Sequence, residues 1–255
     1  MDITHTTMTT VDIDAEIAML ARRYRAASGV GIGLLNAFGG RAEDLLDQLP
    51  HSVRAGLETA TVSALNQAMK AAHSSRTIVP DQRSWLNQAV TAAMGAAGGA
   101  GGLPTALAEL PVTTTLLLRV IQGVAVEHGF DPASESVQFD CVQVFAAAGP
   151  LADDDGADLG FLSARLTLTG QALNTVIATV APKLAVVLGQ KLAAQAVPLL
   201  GAVAGAATNY AYTSYYEQIA HVHFGLRRLS IEADVASDEL VSRLRTQMHQ
   251  AQTAS

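Results

Sequence analysis

Apolar residues recur every three or four positions along most of this chain, and that spacing predicts helices. In "DAEIAMLARRYRAAS" (14–28) Ile17, Leu20 and Tyr24 share one face. "RAEDLLDQLP" (41–50) predicts a short helix stopped at Pro50, and "HSVRAGLETATVSALNQAMKAAHSS" (51–75) a longer one. Asp81 is placed to cap a further helix, with Trp85 and Leu86 inward. "MGAAGGAGGLP" (94–104) interrupts the pattern, either as a Gly-rich linker or as the small-xxx-small pairs Gly95/Gly99 and Gly98/Gly102. "PVTTTLLLRVIQGVAVEHG" (111–129) opens on Pro and closes on Gly, as helices do. Asp131 and Pro132 open the next, through Cys141 to Gly149. "ADDDGAD" (152–158) is a solvated acidic turn without EF-hand spacing. From Phe161 to Arg228 the chain is helix-forming, with breaks expected at Gly170, Pro182, Gly189 and Pro198. Asp234 to Gln250 is a polar amphipathic helix. No alternating run predicts a strand, and no fixed period predicts a repeat array. The expected fold is an all-α, multi-helix bundle of closely packed Ala/Gly-rich helices. Its expected parts are a flexible lead-in (1–13), a helical domain (14–232), and a C-terminal amphipathic helix and tail (233–255).

Composition sharpens this picture. Hydrophobic residues make up 49% of the 255 and charged residues only 15%, against a usual quarter or so. The mean hydropathy is +0.26. A net charge of −7 argues against general affinity for nucleic acid. A single cysteine, Cys141, excludes an intrachain disulfide and a multi-cysteine metal site. "MDITHTTMTTVDID" has neither the basic nor the apolar region of a secretory signal, so residence in the cytoplasm is expected. Two uncharged stretches, Ser84 to Ala108 and Leu192 to Tyr216, are long enough to cross a bilayer. Both carry polar residues and lack basic flanks. Buried core, a peripheral or integral place at the inner membrane, and surface attachment stay open for them.

The chemical motifs mostly return negative answers. "GVGIG" (29–33) has Leu34 where a dinucleotide loop needs its third glycine. The chain has no Gly-Lys-Ser/Thr phosphate loop, no His-Glu pair and no Gly-x-Ser-x-Gly elbow. Cys141 lies in an apolar helix and reads as a packed thiol. No cofactor and no metal are expected. Arg119 is the only charge between Glu109 and Glu127. It either snorkels or pairs structurally, or it binds an anion or headgroup.

The densest chemistry is "SYYEQIAHVHFGLRR" (214–228). At about 100° per residue, Asn209, Thr213, Glu217, His221 and Arg228 make one polar stripe. Tyr212, Tyr215, Tyr216, Ile219, His223 and Leu226 make an aromatic and aliphatic one. His221 and His223 therefore point apart by about 160° on a helix, where a His-x-His pair cannot grip one ion. Glu217 and His221 share a face but make only two ligands. The tyrosines at 210–216 suit either a helix interface or a headgroup zone.

"LPTALAELPVTTTLLLRVIQGVAVEHGFDP", "FDCVQVFAAAGP" and "DLGFLSARLTL" resemble successive blocks of the EcsC family. "GQKLAAQAVPLLGAVAGAATNYAYTSYYEQIAHVHFGLRRL" resembles its C-terminal signature. The resemblance covers roughly Trp85 to Leu229. Arg119, Lys191, Pro198, Gly201, Asn209, His223, Phe224, Arg227 and Arg228 match the family pattern. Gln122 and Gln190 stand where relatives often carry an acidic residue. The resemblance implies a bacterial, mostly helical protein without an established activity. The family's namesake is encoded beside an ABC transporter, and some relatives carry a hydrolase label of the LasA metallopeptidase kind. The first reading is a non-enzymatic accessory protein that associates with membranes or binds a hydrophobic ligand or lipid. Its partner would be a membrane lipid or a membrane protein. Arg119, Lys191, Arg227 and Arg228 would contact anionic headgroups or brace the core. The alternatives are a hydrolase using Glu217, His221 and His223, or a homo-oligomeric scaffold joined through Gly-xxx-Gly faces.

Overall fold

The computed structural model describes residues 12–38, 46–47, 49–76, 102–147, 149–150, 162, 173–195 and 201–253. These form seven α-helices and no strand: α1 Ile13–Phe38, α2 His51–Arg76, α3 Gly102–Glu127, α4 Glu135–Val144, α5 Leu173–Gln195, α6 Gly201–Ala233 and α7 Ser237–Thr253. The fold is an all-α bundle, as the spacing predicts. The readings at Asp81 to Leu86, the acidic turn, Gly170 and Pro198 lie outside the described residues, as does nearly all of the lead-in.

α6 is the axis. It packs against α1, α3, α4, α5 and α7, most extensively against α1. Arg23 meets Gln218 while Leu20 meets Gly225, so α1 and α6 run antiparallel. Asp140 meets Arg227 while Phe145 meets Tyr216, so α4 is antiparallel to α6 as well. α7 is docked, with Leu240, Val241, Leu244 and Met248 buried in the common core and Arg243 3.7 Å from Asp14 of α1. Asp12 caps α1 through its carboxylate, which accepts from the backbone N–H of Ala15 at 3.0 Å.

Local signals misplace several boundaries. α3 begins at Gly102, and Pro111 lies inside it. α5 runs without a break through Pro182 and Gly189. A proline inside a helix costs about 3 kcal/mol. Burial of the flanking turns offsets that cost, and the exposed ring of Pro182 faces solvent. Gly189 is there for contact. A Cβ on it would lie 2.6 Å from a Leu46 methyl and 2.8 Å from a Leu57 methyl. α5 and α2 thus approach closely at a residue that resembles a helix breaker. Gly189→Val should lower stability by about 1–3 kcal/mol through overpacking. The thermal midpoint checks this, and an unchanged value would mean the two leucines yield freely.

The uncharged stretch Leu192 to Tyr216 is not one helix; it is shared between the end of α5 and the first half of α6. Only its last seven residues place Ser84 to Ala108 among the described ones, at the start of α3. Two other segments are long and apolar enough to cross a membrane by length and composition: Leu110–Glu127, 56% buried, and Asn174–Ala194, 72% buried.

Candidate functional site

The polar stripe of α6 is not a solvent face. Asn209, Thr213 and Glu217 are all buried where α1, α3, α4 and α5 pack around the helix. The stripe reaches solvent only toward its end, at Arg228, and the aromatic stripe is anchored in the interior. Tyr212 donates to the carbonyl of Val187 at 2.9 Å, and the Tyr215 hydroxyl accepts from the N–H of Gly149 at 3.2 Å. Tyr216 stacks edge-on against Phe145 and Tyr215. Burial holds the phenols of Tyr212 and Tyr216 well above their ordinary range. Tyr210 alone of the four is exposed.

Lys191 is wholly buried. In this conformation it cannot reach a headgroup. Arg119 is half-buried, and neither it, Lys191, Asn209 nor Glu217 is without a partner. Gln122 and Gln190 are buried too, and each has an Oε1 with no hydrogen-bond partner. An unmet amide oxygen costs about 1–3 kcal/mol in a core. Gln122 and Gln190 are both interior positions.

His223 and Arg227 belong to one cluster, between α6 and α4. Arg227 forms an ion pair with Asp140, reaches Ser136 Oγ at 3.4 Å, and lies over the Phe130 ring at 4.6 Å. His223 Nε2 faces the other oxygen of Asp140 at 3.4 Å. The atom is not aligned for a hydrogen bond at that distance. Phe224 packs against both Phe130 and His223. This clasp fastens the short α4 to the axis.

His221 belongs to a different cluster, and the local chain explains how its partner arrives there. α3 ends in a Schellman motif: Gly129 takes φ +83°, its N–H bonds Val126 O, and Phe130 N–H bonds Ala125 O. This tight stop leaves His128 beside α6. His128 Nε2 and His221 Nδ1 are 3.1 Å apart. Glu127 Oε2 lies 3.8 Å from His221 Nε2. The tautomers follow by assignment. The carboxylate favours N–H at His221 Nε2, so His221 Nδ1 accepts from His128 Nε2. That leaves a lone pair on His128 Nδ1, an atom that is buried and has no partner. Burial first, then the charges of Arg228 and Arg23, lowers the pKa of His128 to about 4. Burial, Arg23 and then His128 lower His221 to about 4. Both imidazoles are therefore neutral at neutral pH.

The pair borders a cavity of about 230 Å³ between α1, the end of α3, and α6. Glu16, Arg23, Glu127, His128, His221, Arg228 and Glu232 supply its polar wall. Gly225 supplies close approach: a Cβ there would stand 2.7 Å from Leu20 and 3.6 Å from His128. Arg228 pairs with Glu232 at 3.2 Å on the outer side.

Of Glu217, His221 and His223, the cavity has His221 alone in its wall. His223 is held at Asp140, and Glu217 is interior. Among the described residues no group of three or more His, Cys, Asp or Glu is placed to hold a metal ion. Sequence reasoning missed Arg23, His128 and Asp140. The one available signal was "EHG" at a helix end. Nothing in it points 93 residues on to His221.

No curated protein and no solved structure matches the chain. The family model of the EcsC protein family matches residues 41–229. That range holds α2 to α5 and nearly all of α6, including both histidine clusters of the axis, and the chain belongs to the EcsC protein family.

Proposed function

We propose that this protein is a non-catalytic, membrane-associated accessory protein of the EcsC family, resident on the cytoplasmic side and binding lipid or another hydrophobic partner. One observation carries the reading. Two helix segments, Leu110–Glu127 and Asn174–Ala194, have bilayer-crossing length and composition, and 56% and 72% of them is buried in the bundle. Such helices in a folded bundle favour attachment at a surface over insertion, since inserting would strip them from α6. The separation of Glu217, His221 and His223 also favours binding over a hydrolase built from those three. Arg119, Arg227 and Arg228 keep partial solvent access, so headgroup contact falls to them. The test is fractionation of a tagged copy, followed by a high-pH carbonate wash. The expected result is recovery with membranes and release by carbonate. Retention after the wash would replace attachment with insertion. Recovery wholly in the soluble fraction, with no flotation on liposomes, would end the reading.

A further inference from the structure

The wall of the cavity beside the histidine pair varies in exposure. Its less exposed part holds part-buried Arg23 and Glu16 on α1 and the two imidazoles. The His221 side chain is only 12% exposed there. Its mouth is mixed and wet. Glu127 is 65% exposed, and Arg228 and Glu232 are 44% and 43% exposed. Arg23 directs one N–H to the neutral amide oxygen of Gln218 at 2.9 Å. A part-buried guanidinium beside neutral imidazoles is an incomplete electrostatic arrangement, and an anion placed there would complete it. The same anion would counter the charges of Arg23 and Arg228, and its attraction for an imidazolium would work against burial, the larger cause of the lowered pKa values, so that an imidazole becomes a second donor. A bare anion is a poor occupant, because Glu16, Glu127 and Glu232 would repel it on entry. A group with a positive end outward suits the mouth. About 230 Å³ is below the ~300–1,000 Å³ of drug-sized pockets, so the occupant is small.

We propose that this cavity binds a small zwitterion, with its oxyanion inward on Arg23, His128 and His221 and its ammonium outward on Glu127 and Glu232. Binding takes up a proton on the imidazole pair. The titratable and charged groups around that pair are Glu16 and Arg23 from α1, Glu127 from α3, and Arg228 and Glu232 from α6. The inference stands apart from membrane attachment, since a free compound tests it.

The experiment is titration calorimetry of the full chain with phosphoethanolamine, and separately with inorganic phosphate and with ethanolamine. Two buffers of different ionisation heat report proton uptake. The expected result is saturable binding of phosphoethanolamine, at least about tenfold tighter than either half, with net proton uptake. His221→Gln should weaken it about tenfold and reduce the uptake. Glu232→Gln, a change at the wet mouth that leaves the core alone, should narrow the preference over inorganic phosphate. A second arm identifies the source. Sedimentation with phosphatidylethanolamine vesicles, but not phosphatidylcholine vesicles, assigns the headgroup of a lipid. Binding of free phosphoethanolamine without sedimentation assigns a soluble zwitterion. No saturable heat with phosphoethanolamine, or equal affinity for inorganic phosphate, overturns the proposal.

Discussion

Asp140→Ala is expected to lower the unfolding free energy by about 3–4 kcal/mol, one of the two largest effects in this chain. Asp140 is the single carboxylate between Arg227 and His223, and its side chain is only 15% exposed. Removing it leaves a guanidinium 30% exposed over Phe130, with Ser136 as its remaining side-chain contact. Breaking one partner of a buried pair costs about 3–5 kcal/mol, and the partial exposure of Arg227 lowers that figure. Asp140→Asn keeps an acceptor and should lose about half as much. Chemical denaturation of both variants checks this. The clasp also holds α4 against the axis, so protection of α4 amides from hydrogen exchange should fall with Asp140→Ala. An unchanged denaturation midpoint would show that the cluster contributes no stability.

Acidification should cost about 3 kcal/mol through the His128–His221 pair. The sign follows from the direction of the shifts. Both folded pKa values are lowered from 6.5 to about 4. Between those values the unfolded chain binds more protons than the folded one. Stability from this pair is therefore fully present above 6.5 and is lost as pH falls toward 4. Each pKa unit is about 1.4 kcal/mol, but the two rings share one hydrogen bond and some solvent access, so the full sum is not reached. Denaturation midpoints across this window, compared with those of a His128→Asn/His221→Asn double variant, isolate the effect. The native slope should exceed the variant slope throughout the window. Equal slopes would mean that neither histidine is held neutral by its surroundings.

The fold class was legible because helical spacing survives even where both faces are apolar. α1, α2 and α7 follow the amphipathic pattern, and Gly129 ends α3 where expected. Prolines and glycines misled wherever packing outweighed the local preference. Pro111 and Pro182 sit within helices, and Gly189 and Gly225 mark close helix contacts. The angular argument on α6 was sound for the histidines, since His221 and His223 do reach different neighbours. It did not say that Asn209, Thr213 and Glu217 of the polar stripe are buried while Arg228 is exposed. A helical wheel gives direction, but it does not say whether another helix occupies that direction.

The sequence by itself determined that the chain is helical, that it belongs with the EcsC family, and that His221 and His223 diverge. These follow from 3.6-residue periodicity and ordered motifs, which act over short range. Only the tertiary structure decided which residues share a site. His128 meets His221 across 93 positions, Asp140 meets Arg227 across 87, and Arg23 meets Gln218 across 195. Such meetings depend on which helices surround α6 and in which direction they run. That choice minimises exposed apolar surface over the whole chain, and no local pattern encodes it.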